Sequence, residues 1–187
     1  MPRAGLDPAA VVAAGAALAD EVGLANLTMG LPATRLGVRT PSLYKHVGGQ
    51  EDLNRRIAAL ALSEAADAVG SAVQGYAGRD ALAAAALAFR AFVLEHPGRY
   101  AATLGMEPSG PQDSLATAGR RLLDAFTTVL RGYNIEEPDV NHALRMLRSL
   151  CHGFATLQAA NGFQWSTAID ESFDWLITFT DQGLRTI

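Results

Sequence analysis

The chain has 187 residues, 49 % hydrophobic and 18 % charged, with a net charge of −4 and one cysteine, Cys151. The apolar fraction can build a real core and excludes a disordered chain. The acidic balance excludes a protein that coats nucleic acid over its whole surface, and the lone cysteine excludes an internal disulfide. The length fits one large domain, or a small domain fused to a medium one. Alanine and leucine are abundant and β-branched residues sparse, a composition that favours helices.

Asp7-Pro8 opens the first predicted helix, Asp as N-cap and Pro at the first helical position, and Gly23 closes it. This start is not expected to act as a signal peptide, because Asp7, Pro8, Asp20 and Glu21 interrupt it. No apolar run reaches the ~18 residues that span a membrane. A soluble cytoplasmic protein with no membrane partner is expected.

A second helix is expected after the N-cap Thr28, running to Leu36 with Gly37 as its stop. Pro32 disturbs it, having no N–H for the first helical bond and a ring that crowds a carbonyl. The expectation is therefore a late start near Leu31, with Pro32 in the first turn. Thr40-Pro41 repeats the N-cap-plus-proline signal and opens a short third helix through Val47, ended by Gly48-Gly49. A long amphipathic helix follows from Gln50 towards Tyr76, and another from Asp80 to Glu95, before Pro97. "HPGRYAATLGM" reads as a short helix and "EPSGPQD" as a loop. The last helices are expected at about 112–131, 137–161 and 168–185. No period-2 strand pattern and no repeat appears.

The reading is an all-α fold: three short helices at 1–48, then a helical bundle at 49–187. The short helices should pack on the start of the fourth around Val11, Ala14, Leu18, Leu36, Val38, Leu43, Tyr44 and Leu53. Charge is unevenly spread. Residues 1–56 carry six Lys/Arg (Arg3, Arg35, Arg39, Lys45, Arg55, Arg56) against five Asp/Glu, while the remainder is net −5. The amino-terminal part can approach a polyanion.

Two helices joined by a tight turn at Gly37, the second short and polar, form a helix-turn-helix arrangement. There the second helix enters the major groove and the first braces it. Arg39, Thr40, Ser42, Tyr44, Lys45 and His46 share one eight-residue window. Thr40 and Ser42 can contact phosphate at a helix N-terminus, Tyr44 and Lys45 from the helix body. Arg39 can take phosphate or guanine O6/N7.

"LGVRTPSLYKHVGGQEDL", with "LTM" before it, resembles the DNA-binding domain of the tetracycline-repressor (TetR) family over roughly residues 7–60. The resemblance implies a dimeric transcriptional regulator, usually a repressor, released from a palindromic double-stranded DNA operator by a small ligand. It places the DNA-contacting set at Thr28, Arg39, Thr40, Pro41, Ser42, Tyr44, Lys45 and His46. Members usually carry Leu or Ile where this chain has Pro32, which puts affinity in question more than fold. "LCHGFATLQAANGF" also resembles a carboxy-terminal domain of one subset of the family, with a His-Gly signature. His152-Gly153 and Gly162-Phe163 match; Cys151 replaces the usual tryptophan. Gly153 is expected to allow close helix approach, and His152 to be a hydrogen-bonded structural histidine.

The fourth helix is the natural transmission element to the bundle. An effector pocket is expected among Phe89, Phe92, Tyr100, Leu104, Met106, Phe126, Met146 and Phe154, and few inward charges imply an apolar or aromatic effector. A homodimer contact through the last two helices would use Leu147, Phe154, Phe173, Ile177 and Leu184, while Trp175 and Phe179 point elsewhere. An enzyme is not expected. Cys151 and His152 are adjacent on a helix and diverge by about 100°, and no metal, P-loop or dinucleotide motif is present. No cofactor is implied. The rival reading is a ligand- or protein-binding helical dimer with weakened or lost DNA binding.

Overall fold

The computed structural model describes residues 6–187. Arg3, one of the expected amino-terminal cations, lies outside them. Among the described residues there are helices and no strands, in the order α1 (Pro8–Val22), a 3₁₀ turn (Leu24–Asn26), α2 (Gly30–Arg35), α3 (Thr40–Leu43), α4 (Gln50–Ala72), α5 (Gly78–Glu95), α6 (Pro97–Ala101), α7 (Ser114–Leu130), a 3₁₀ turn (Arg131–Tyr133), α8 (Glu137–Ala159) and α9 (Ile169–Leu184). None of these helices is long and apolar enough to cross a membrane.

The chain forms two compact units, Met1–Leu62 with His96–Ala118, and Ser63–Glu95 with Gly119–Ile187. They do not follow the expected boundary between 48 and 49. The first part of α4 packs with the short helices, and the chain returns through α6 to the same unit.

In the first unit, Asp7 caps α1 as anticipated: its Oδ1 accepts from the Ala10 N–H at 2.7 Å. Gly23 leaves the helix at φ 83°, a conformation that costs glycine least. The core gathers Val11, Leu18, Leu27, Leu43, Val47, Leu53 and Ile57, with Leu31, Leu36 and Val38 partly buried against it. Tyr44 was expected in this core and is instead 57 % exposed.

α6 joins the unit through a backbone-tight contact. A Cβ built on Gly98 would stand 1.8 Å from the Ala19 carbonyl oxygen, so only glycine lets the two helices approach. Asp20 fastens the neighbouring residue, accepting from the Arg99 N–H at 2.8 Å and from its Nε at 2.7 Å. The connection after α6 is also held. Arg55 Nη1 donates to the Glu107 carbonyl at 2.9 Å and to Asp113 Oδ2 at 3.0 Å. Asp113 also accepts from the Ser109 and Leu115 N–H groups and the Ser109 hydroxyl, which holds its carboxyl far below the usual range.

In the second unit α5 packs against α8 and α9. Phe89 and Phe126 meet edge to face, centroids 5.7 Å apart. Tyr133 donates to Asp181 Oδ1 at 2.8 Å, and Arg185 donates to both oxygens of the same carboxylate. Arg185 and Tyr133 thereby hold the Asp181 carboxyl below its usual range. Gly153, expected to allow a close approach, has nothing within 4 Å of a Cβ built on it; in this unit Gly132 is one of the tightly packed glycines, a Cβ built on it standing 2.8 Å from the Gly78 nitrogen.

Gly98→Ala should break the docking of α6 on α1, because backbone and not a flexible side-chain end occupies the space. The expected loss is on the order of 1–3 kcal/mol, as for other forced overpacking. It would be read as a lowered unfolding midpoint in a thermal melt, and an unchanged midpoint would contradict the contact.

Candidate nucleic-acid interface

The surface formed by α2, the turn and α3 depends on how such short helices are held. α2 begins at Gly30 with Met29 as its N-cap. That corrects Thr28 as the cap and moves the start one residue ahead of Leu31. Pro32 lies in the first turn, where the N–H groups have no helical acceptor in any case. Its i−4 residue, Thr28, is outside the helix, so the ring meets no helical carbonyl. The proline is thus accommodated, and its ring is buried.

α2 ends in a Schellman motif. The Val38 N–H donates to the Ala33 carbonyl at 3.0 Å and the Gly37 N–H to the Thr34 carbonyl at 3.1 Å. Gly37 has φ 66°, the left-handed conformation the motif requires. This aims the chain into α3 and brings apolar Val38 back onto the core.

α3 is shorter than the sequence implied. It spans Thr40–Leu43, and Arg39, not Thr40, is its N-cap. The turn continues beyond it, with the Leu43 carbonyl accepting from both the His46 and Val47 N–H groups, at 2.8 and 3.0 Å. Leu43 and Val47 fall four residues apart and are both buried, which sends Tyr44 and Lys45 outward. Thr28, Arg39 and Pro41 are also exposed, while Thr40, Ser42 and His46 are half-buried at the rim.

Ion pairing separates the cations of this unit. Arg35 makes two bonds to Glu21, at 2.8 and 2.5 Å. Arg55 is turned to the Glu107–Asp113 segment. Arg56 Nε donates to Asp52 at 2.9 Å. Arg39 and Lys45 have no acidic partner among the described residues. Among the described residues of this unit, the arginine and lysine side chains without an acidic partner are therefore the two inside the polar window. Asp52 secures the end of that window, since its Oδ2 accepts from the Gly48 N–H at 2.7 Å.

The residues expected in an effector pocket divide between the units. Tyr100, Leu104 and Met106 fall in the first: Tyr100 is buried, Met106 packs on its core, and Leu104 is exposed. Phe89, Phe92 and Phe126 are buried in the second, where Met146 is exposed. Phe154 lines a cavity of about 140 Å³ together with Phe163, Trp165, Thr167, Ile169 and Ser172.

The stripe expected to meet a second chain is consumed by this chain's own core. Leu147, Phe173, Ile177 and Leu184 are all at most 2 % exposed. The apolar groups that α8 and α9 leave outside are Met146, Leu157, Trp175 and Phe179; the last two rings stack at 5.2 Å. Cys151 is buried, which pushes its thiol up to about 12. His152 is half-buried, and burial with the Arg148 charge lowers its pKa.

Sequence reasoning missed Arg90. It is buried among the rings of Phe173 and Phe154, 4.6 and 5.6 Å from their centroids. Its Nε donates to Gln158 at 2.7 Å and its Nη2 to Asp170 at 2.6 Å. The only advance signal was a charged residue on the apolar stretch of α5.

Known proteins share this architecture and sequence. The sequence model of the tetracyclin repressor-like C-terminal domain matches residues 82–180, a span that includes His152-Gly153 and Gly162-Phe163. The chain is 31 % identical to the HTH-type transcriptional regulator YobS of Bacillus subtilis, over 98 % of this chain and 95 % of that one. Its fold matches that of TetR-Q116A from Acinetobacter baumannii AYE in complex with minocycline, with a TM-score of 0.74 at 23 % identity, covering 97 % of this chain and 98 % of that one. It also matches BioQ in complex with its double-stranded DNA operator, with a TM-score of 0.69 at 21 % identity over 98 % and 100 % of the two chains.

Asp52 offers a pH test of the interface. Burial alone would raise its carboxyl; the Arg56 bond, the Gly48 N–H and the charges of Arg56 and Arg55 outweigh it and lower the pKa. A depressed carboxylate contributes its stabilisation above the ordinary carboxylate range and loses it as pH falls through the folded value. The pH-dependent shift of the Gly48 amide resonance should therefore be centred below the ordinary carboxylate value of about 4. Movement centred at or above the ordinary value would contradict the Asp52 bonds.

Proposed function

The chain belongs to the tetracycline-repressor (TetR) family of transcriptional regulators, and on that premise we propose a homodimeric repressor working in the cytoplasm. It reads a palindromic operator and releases it when a small apolar or aromatic effector binds. The observation that carries this reading is the separation of cations. Arg39 and Lys45 stand unpaired beside Thr40, Ser42 and Tyr44, while Arg35, Arg55 and Arg56 are neutralised within the fold.

In this reading Lys45 and Tyr44 hold phosphates, Thr28, Thr40 and Ser42 add hydroxyl contacts, and Arg39 reaches phosphate or a guanine edge. Pro41 presets the backbone that presents Ser42, and His46 borders the groove. The operator complex of BioQ and the minocycline complex of TetR-Q116A support DNA and a small molecule as partners. The outward Trp175 and Phe179 of α9, with Met146 and Leu157 of α8, support a second copy as the third. The rival reading, a helical dimer with weakened or lost DNA binding, drew on Pro32 and on the low basic charge; the accommodation of Pro32 in the first turn of α2 weakens the first of these, and the net charge of −4 still stands behind the second.

Selection of operator DNA from a random pool tests the reading. Two half-sites roughly 34–36 Å apart, in palindromic relation, should be enriched. Lys45→Ala should weaken binding to all sequences alike and reduce the slope of log affinity against log salt by about 2, one phosphate contact being lost from each protomer. No enrichment by a folded, dimeric protein would overturn it.

A further inference from the structure

In the second unit, the chain turns back after α8 so tightly that the Gly162 N–H donates to the Leu157 carbonyl at 2.7 Å. A Cβ on Gly162 would meet that same oxygen at 2.9 Å. This return places Phe163 and Trp165 beside Phe154, with Phe163 centroids 4.8 Å from Phe154 and 5.8 Å from Trp165. Ile169 and Ser172 of α9 and Thr167 of the connection complete a cavity of about 140 Å³.

Its walls define what fits. Four of the six lining side chains are apolar or aromatic, two carry hydroxyls, and none is ionised. An apolar cavity of ~150 Å³ holds one benzene-sized ring. Trp165 stands at the cavity with 75 % of its surface exposed, so a ring beneath it would remove apolar indole surface from water. An anionic ligand would lose its hydration without gaining a cation. The Arg90 guanidinium on the Phe154 ring is already held by Gln158 and Asp170.

We propose that this cavity is a binding site for a neutral, single-ring aromatic compound bearing one hydroxyl or carbonyl group. The ring packs among Phe154, Phe163, Trp165 and Ile169, and its polar group bonds the Thr167 or Ser172 hydroxyl. The site deepens the regulator reading by giving the effector a chemical class. It rests on that reading for its consequence at DNA, and binding itself does not.

The test uses the full chain without DNA and 4-fluorophenol as the probe, followed by its fluorine resonance. Saturable binding of one probe per chain is expected, with a dissociation constant on the order of 1 mM or tighter. Ile169→Trp and, from the exposed connection, Thr167→Trp should each fill the space and weaken binding by at least roughly tenfold, with circular dichroism unchanged. Benzoate should compete at least roughly tenfold less well than phenol. Absence of saturable binding, or binding indifferent to both filling variants while they stay folded, would overturn the site. Binding here that never releases a selected operator would leave the site standing and overturn its regulatory use. Operator release by phenol in both filling variants would overturn the site as the effector's entry while leaving the regulator intact.

Discussion

The proposed DNA-facing surface depends on the burial of Leu43. α3 is four residues long, far below the length at which a helix holds itself in water. Its geometry is borrowed from the core. Leu43 and Val47 are fixed among Val11, Leu53 and Ile57, residues of α1 and α4, and the polar window is whatever remains outside. A shift in α1 or the start of α4 would therefore move Arg39 to His46 as a body. Gly98 and the Asp20–Arg99 bonds matter for the same reason, because they bind α6 to the far end of α1.

Much of this was legible from local chemistry. Asp7, Gly23 and Gly37 occupy the caps their residue types favour, because capping is settled within a few residues. Thr28 and Thr40 misled for an equally local reason: a threonine before a helix looks like a cap whether or not its hydroxyl reaches an N–H. The burial of Leu147, Phe173, Ile177 and Leu184 could not be read from periodicity, which reports that a face is apolar and not what covers it. Gly153 and Gly98 make the same point, since a glycine permits a close approach without announcing which one is used. Arg90 was beyond reach because its partners Gln158 and Asp170 lie 68 and 80 residues away.

Exposed ion pairs, such as Arg35–Glu21 in the first unit and Arg121–Asp67 in the second, carry small energetic weight. Each unit also draws charge inward: in the first, Asp20 and Arg99 are both only 14 % exposed. In the second, Arg90 is withdrawn from water and compensated by an amide, a carboxylate and two ring faces. Asp181 is likewise buried between Tyr133 and Arg185. Such groups add little net stability over well-packed apolar ones, but they penalise every alternative packing that separates them. They tie α5 to the α8–α9 region, and the 3₁₀ turn after α7 to α9, in one register.

Lys45 is the chain's only lysine, exposed on the turn that follows α3. Every other permanently charged side-chain cation is a guanidinium. An acyl donor that modifies lysine amines thus finds a single side-chain target, and it is on the surface proposed to face DNA. Acylation there would abolish a positive charge in the polar window while leaving the Arg-based pairs of the fold untouched. The same economy makes amine-directed labelling a report on one surface, free of background from the rest of the side chains.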